Sequence, residues 1–223
     1  MGKVAQNQLA LIFDMDGVII DSTSTHTRAW EEYLKRQGVE TPRIEDRMLG
    51  KRNDEIVRDF LGDRQLTDDE IFQHGAAKEK IYREIIAPEL NDRTVPGIAE
   101  FLQRHQQLPI GLATNAEPAN VELILDGAEI RRYFRAIVNG HDVKRPKPYP
   151  DIYLRVAELL QTQPENCVVF EDSRTGVQAA RAAGMHVVGL TTTLADLSDV
   201  DLSIRSFLDP GIEPWLQTMG TAF

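Results

Sequence analysis

Five short runs of uninterrupted apolar residues constrain this chain most: Leu9–Phe13, Ile110–Ala113, Ala136–Val138, Val168–Phe170 and Val187–Leu190. A strand with one wet face alternates apolar and polar residues, because successive side chains point to opposite faces. Continuous runs instead suit strands covered on both sides, the condition of a parallel sheet. Helical patterns lie between them. Asp151–Leu160 puts Ile152, Tyr153, Val156, Leu159 and Leu160 on one stripe, and Val121, Ile124, Leu125 and Ala128 form another. Thr175–Ala183 is a helix of small residues with Gly184 as its C-terminal stop. Alternating strand and helix from about residue 94 predicts an α/β fold, a Rossmann-like doubly wound parallel sheet with right-handed crossovers.

The interval from Ser22 to about Leu90 breaks this rhythm and carries no strand pattern. Thr27–Gln37 has Ala29, Trp30, Tyr33 and Leu34 at helical spacing and stops at Gly38, and Asn53–Leu61 has Ile56, Val57, Phe60 and Leu61. Thr67-Asp68-Asp69-Glu70 reads as a capping box opening a helix through Ile71, Phe72, Ile81, Tyr82 and Ile85. A segment this long needs its own core, and a lid is one reason to have it. The expected organisation is a core of residues 1–21 and 92–223, with an α-helical cap domain, 22–91, inserted after the first strand.

Chemistry-capable residues stand where the apolar runs end. Asp14 and Asp16 follow the first run, Thr114-Asn115 the second, Lys147 the third at a short remove, and Glu171-Asp172-Ser173 the fourth. Open parallel sheets bind ligands outside the carboxyl ends of their strands. Acids gathered there repel unless something positive sits among them. Mg²⁺ suits one or two carboxylates plus waters and a substrate phosphate. Lys147 would stabilise phosphate charge from another side, and Thr114 would donate to a phosphate oxygen. The set describes phosphoryl transfer through an aspartyl-phosphate. Residues i and i+2 of an extended segment point the same way, so Asp14 and Asp16 both face the reacting group. One attacks phosphorus; the other protonates the leaving alkoxide and later deprotonates water. Gly17 lets the backbone turn away where a side chain would obstruct it.

The stretches DMDGVIIDS, ATNA, KPYPD and FEDS together resemble the four motifs of the haloacid dehalogenase superfamily, in order and over the whole chain. The resemblance implies that Asp14 is the nucleophile and Asp16 the general acid and base. It implies that Asp14, Asp172 and the Asp16 backbone carbonyl hold Mg²⁺. Thr114, Asn115 and Lys147 hold phosphate, and Glu171 supports Lys147 or a water ligand of the metal. Lys144 competes with Lys147, and the KPYPD spelling decides for Lys147. Dehalogenating members lack the second aspartate, so Asp16 argues for phosphate chemistry.

The lead expectation is a Mg²⁺-dependent phosphatase of small phosphomonoesters, sugar or other metabolite phosphates. A phosphomutase is the alternative. DSTSTHTRAW, with His26, resembles the corresponding segment of β-phosphoglucomutases, and Lys78 falls where those enzymes have a cap lysine. The run Gly50-Lys51-Arg52-Asn53 does not match their residue order clearly. His26, Arg52 and Lys78 are the cap residues expected to meet substrate, against a buried polar role for His26 and plain solvation for the other two. A third reading, a family member kept only for binding, expects a lost aspartate or lysine, and none is lost.

Composition narrows the partners. The net charge of −10 over 223 residues disfavours sequence-independent nucleic-acid binding, which needs clustered Lys and Arg. The lone cysteine, Cys167, sits in an apolar run and reads as a small buried hydrophobe in a reducing compartment. No signal peptide is visible, Gln6 breaks a myristoylation pattern, and no run reaches membrane-spanning length. A cytoplasmic monomer without membrane partners is expected.

Overall fold

The computed structural model describes residues 8–40, 44–48, 52–194 and 197–219. The N-terminal segment behind the signal-peptide and myristoylation readings, and Gly50 and Lys51 of the basic run, lie outside the described residues. In chain order the elements are β1 (Ala10–Phe13), α1 (Thr23–Arg36), α2 (Ile44–Met48), α3 (Asn53–Leu61), α4 (Asp68–Ile86), α5 (Leu90–Arg93) and α6 (Ile98–Arg104). There follow β2 (Ile110–Thr114), α7 (Pro118–Gly127), β3 (Ala136–Asn139), α8 (Asp151–Leu160), β4 (Cys167–Glu171), α9 (Arg174–Ala182), β5 (His186–Leu190), β6 (Leu202–Ile204) and α10 (Ile212–Thr218).

The strands form one six-stranded sheet, ordered β3-β2-β1-β4-β5-β6, with every neighbouring pair parallel. β1 is central, and the order reverses between β1 and β4. That reversal opens a crevice beyond the carboxyl ends of these two strands. β1, β2 and β4 are buried along their whole length, as continuous apolar runs require. On one face Phe13 stacks on Phe170, ring centroids 4.6 Å apart, with Phe101 and Phe207 packed around them. On the other, Ile12 and Val169 meet Ile152, Tyr153 and Val156 of α8 and Val177 and Ala180 of α9. Each of the Phe, Ile and Val side chains among these contributes about 1.5–3 kcal/mol by leaving water. Cys167 is buried in this second cluster, and burial pushes its thiol up to about 12, so it is inert as a nucleophile at neutral pH.

The chain folds into two compact units, Met1–Asp21 with Asn91–Phe223, and Ser22–Leu90. The described residues of the second unit hold no strand. Trp30, Tyr33 and Leu34 of α1, Ile56 and Val57 of α3, and Ile71, Ile81 and Tyr82 of α4 are its buried core. α4 opens on the capping box: Thr67 Oγ1 accepts from Glu70 N–H, and Glu70 Oε2 accepts from Thr67 N–H at 2.8 Å.

Several sequence expectations need correcting. Leu159 of α8 and Phe72 of α4 are exposed rather than core, and Ala157 fills the buried stripe of α8 instead. Helical spacing alone leaves a stripe's edge undefined by one residue. α1 begins at Thr23, earlier than the apolar spacing implied, because its first turn is built from small polar residues. β6 was not foreseen: it has three residues, with the middle one exposed.

Candidate active site

Asp14 stands where β1 leaves the sheet, and its N–H donates to the Phe170 carbonyl of β4 at 3.0 Å. The chain then turns sharply. The N–H groups of Val18, Ile19 and Ile20 converge on the Met15 carbonyl, and Gly17 N–H donates to the Ile20 carbonyl at 2.7 Å. Gly17 has φ +73°, and a Cβ there would lie 1.8 Å from Asp172 Oδ2. Any side chain at this position would therefore displace Asp172 as well as strain the turn. Met15 is fully buried, Asp14 nearly so, and Asp16 half-buried. β1 ends at Phe13, so Asp14 and Asp16 lie beyond the strand, and the turn rather than strand alternation sets where they point. Asp16 is still near enough for its charge to help push Asp14 upward.

β4 ends on Glu171, with Asp172 next in the chain. Glu171 is completely buried, and donors surround it. Its Oε1 accepts from Lys147 Nζ at 2.6 Å and from the Tyr153 hydroxyl at 2.7 Å. Its Oε2 accepts from the N–H groups of Asp172 and Ser173 and from Ser173 Oγ, each at 3.0 Å. Ser173 Oγ also caps α9 by accepting from Gly176 N–H. A Cβ on Gly176 would fall 1.7 Å from Glu171 Oε1, so this helical position must be glycine for the carboxylate to fit. Lys147 is itself buried and bridges two acids, reaching Asp14 Oδ1 at 2.8 Å as well as Glu171. Lys144 is exposed, while Lys147 stands at the site.

The electrostatics follow from burial. Asp14 is raised from 3.8 to about 7: desolvation outweighs the pull of Lys147, and Glu171 and Asp16 add to the rise. Burial and the charges of Glu171 and Asp14 hold Asp172 well above the usual carboxylate range. Burial works against the charge of Glu171 too, but Lys147 outweighs it and keeps Glu171 below its ordinary value. Lys147 is desolvated yet held above its ordinary value by Asp14 and Glu171. A single ammonium thus stabilises Glu171 and leaves Asp14 and Asp172 under-compensated.

That deficit is the test for a metal. Asp14, Glu171 and Asp172 each offer a carboxylate oxygen within 4.8 Å of the others, all buried. Glu171 has both oxygens filled by hydrogen bonds, so it is a poor ligand despite its position. Asp14 and Asp172 remain, hard oxygen donors with unmet negative charge, and they fit a small divalent cation such as Mg²⁺. Thr193 Oγ1 donates to Asp172 Oδ2, and Thr192 Oγ1 to the Gly17 carbonyl, which ties the loop after β5 to both halves of the site. Neither threonine is predictable from the sequence, because the loop has no motif spacing to the acids.

Thr114 is buried at the end of β2, next to β1 in the sheet. Its Oγ1 accepts from Ala116 N–H at 3.1 Å. This is turn chemistry, and it leaves the hydroxyl proton for another acceptor. Asn115 is exposed, its backbone against Gly140.

The helical unit holds a separate cluster. Lys78 is buried, not solvated: its Nζ lies 2.7 Å from His26 Nδ1 and 2.8 Å from Glu79 Oε1. Asn53 Nδ2 donates to the same Glu79 oxygen at 2.7 Å, and the His26 ring stacks on Tyr82 at 4.0 Å. Burial would raise Glu79, but Lys78 and His26 outweigh it and hold it at about 2. Arg52 is exposed at the N-terminus of α3, 3.2 Å from Asp54 Oδ1.

Residues 9–184 match the family model described as a hydrolase, haloacid dehalogenase-like hydrolase. The chain belongs to this family. A fructose-1-phosphate phosphatase of Escherichia coli is 36% identical over 180 residues, covering 80% of this chain and 94% of that protein. A β-phosphoglucomutase of Bacillus subtilis is 30% identical over 211 residues, covering 92% of each. Among solved structures, a β-phosphoglucomutase from Clostridium difficile superposes with a TM-score of 0.81 at 25% identity, covering 95% of this chain and 96% of that one. The four motifs thus lie in a haloacid dehalogenase-like enzyme whose relatives include phosphatases and phosphomutases. No helix among the described residues is long and apolar enough to cross a membrane.

Proposed function

We propose that the protein is a Mg²⁺-dependent phosphatase that hydrolyses small phosphomonoesters, of the sugar phosphate class, through a phosphoaspartate on Asp14. The observation that carries this reading is the buried triad of Asp14, Lys147 and Asp172 beside the half-buried Asp16. An Asp14 carboxylate oxygen attacks phosphorus, and the bond from phosphorus to the ester oxygen breaks. Asp16 gives its proton to the departing alkoxide. Asp16 then takes a proton from water as the water oxygen attacks the same phosphorus, releasing phosphate and regenerating Asp14. Lys147, with Thr114 and Asn115 at the neighbouring strand end, neutralises and orients the phosphate oxygens. Mg²⁺ held by Asp14, Asp172 and the Asp16 carbonyl would supply the positive charge that keeps Asp14 ionised and lets it approach an anion.

A mutase is the second reading, favoured by one observation: the buried contact between Lys78 and His26, residues that resemble the cap segment of β-phosphoglucomutases. Arg52 would then meet a distal part of the sugar. Phosphate release from a panel of sugar phosphates with Mg²⁺ is the test. Stoichiometric phosphate from several of them supports hydrolysis. Conversion of β-glucose 1-phosphate to glucose 6-phosphate without free phosphate, given a trace of the bisphosphate, replaces it with the mutase.

A further inference from the structure

Tyr153 has no part in the chemistry described so far, yet its hydroxyl is built into the site. It is the third residue of α8, its ring is fully buried in the apolar cluster behind the sheet, and its hydroxyl emerges beside Glu171. We propose that Tyr153 is a positioning residue: by donating to Glu171 Oε1, the oxygen that also accepts from Lys147, it sets how firmly Glu171 holds that lysine. The inference rests on the reading that Lys147 meets the phosphate.

The geometry supplies the mechanism. A carboxylate oxygen offers two lone-pair directions. At Oε1 one is filled by the Lys147 ammonium, at 2.6 Å, and the other by the Tyr153 hydroxyl, at 2.7 Å. Two donors share one oxygen's charge, so neither takes all of it. Lys147 keeps attraction to spare for Asp14, at 2.8 Å, and for a phosphate oxygen beyond it. Burial and the neighbouring carboxylate Glu171 hold Tyr153 well above the ordinary phenol value, so the hydroxyl remains a donor at neutral pH. The ring contributes a second restraint, because Lys147 Nζ lies 5.0 Å from its centroid. Removing the hydroxyl leaves Oε1 to Lys147 alone. The ammonium is then drawn toward Glu171 and away from the phosphate.

The test is a cycle of four proteins: wild type, Tyr153→Phe, Glu171→Gln and the double variant. Tyr153→Phe keeps the buried ring and removes one oxygen, and thermal melts verify that each variant folds. Binding of inorganic phosphate in the presence of Mg²⁺ is measured by calorimetry, with KM and kcat for a phosphomonoester alongside. We expect Tyr153→Phe to weaken phosphate binding about tenfold in the wild-type background, the scale of one hydrogen bond to a charged group. In the Glu171→Gln background the same change should cost less than about twofold, because its route to Lys147 is gone. Equal losses in both backgrounds would reduce Tyr153 to packing and overturn the proposal, as would no loss in the wild type. A wild type that binds phosphate but releases none from any ester removes the phosphatase reading, while the phosphate titrations still decide the role of Tyr153. A wild type that binds no phosphate overturns both.

Discussion

Removing the metal should make this protein lose stability as pH rises, and Asp14 sets the size of the loss. Its carboxyl is 3.8 in an unfolded chain and about 7 in the folded one. The folded state therefore holds a proton that the unfolded state has released across that interval. A carboxyl raised in this way contributes stability fully present below about pH 4 and lost as pH climbs through about 7. At about 1.4 kcal/mol per pH unit, ionising Asp14 in the metal-free protein costs about 4 kcal/mol. Asp172, held up by the same burial and the same neighbours, acts in the same direction. A divalent cation binds the ionised form, so protons compete with it, and its apparent affinity should weaken about tenfold per pH unit below about 7. Between about pH 7 and about pH 5 the stabilisation from a fixed millimolar MgCl₂ should therefore shrink by about 2 kcal/mol through Asp14 alone. Thermal melts of wild type and Asp14→Asn at both ends of this range, in EDTA and in MgCl₂, read these numbers. In EDTA the variant should melt above the wild type at about pH 7, and the gap should narrow at about pH 5. A Mg²⁺ shift of equal size at both pH values, or a wild type that matches the variant throughout in EDTA, would rule out a raised Asp14 carboxyl as the metal-linked group.

Three further outcomes follow from the same geometry. Asp16→Asn should lower kcat about 10²–10⁴-fold on sugar phosphates. The loss should be much smaller on p-nitrophenyl phosphate, whose leaving group needs no proton; equal losses on both esters would remove Asp16 as the acid. Gly17→Ala places a methyl where Asp172 Oδ2 now lies, at a positive φ. It should destabilise the fold by at least about 1–2 kcal/mol and weaken Mg²⁺ binding, measured by melts and metal titration. Lys78→Ala leaves the buried Glu79 carboxylate without its ammonium, and chemical denaturation should show a loss of about 3–5 kcal/mol.

The sheet was legible because burial on both faces leaves a signature no loop shares: the runs around Ile12, Leu112, Val169 and Val188 each became a strand within a residue or so of the apolar boundaries. β6 left no such signature, because a three-residue edge strand with Ser203 exposed buries too little to demand an apolar run. Asp14, Lys147, Glu171 and Asp172 were readable as candidates because strand ends in a parallel sheet face one crevice, and the structure brings them together there. The supporting layer was not readable. Tyr153 appeared only as one member of an apolar stripe, since nothing local says that its hydroxyl reaches a carboxylate 18 residues away. Gly176 did carry a signal: a glycine inside a helix costs about 0.5–1 kcal/mol against alanine, and its reason is the Glu171 carboxylate lying where a methyl would be. The burial of Lys78 is not readable from the sequence, because His26, which meets Lys78, and Asn53, which meets its neighbour Glu79, come from other helices of the same unit.

On the proposed mechanism the Asp14 carboxylate accepts the phosphoryl group. Phosphate release by wild type and Asp14→Asn, assayed side by side on the ester that the wild type hydrolyses fastest, tests it most directly. A variant whose melt shows it folded should give no turnover above background. Turnover by that variant at a rate comparable to the wild type would contradict it.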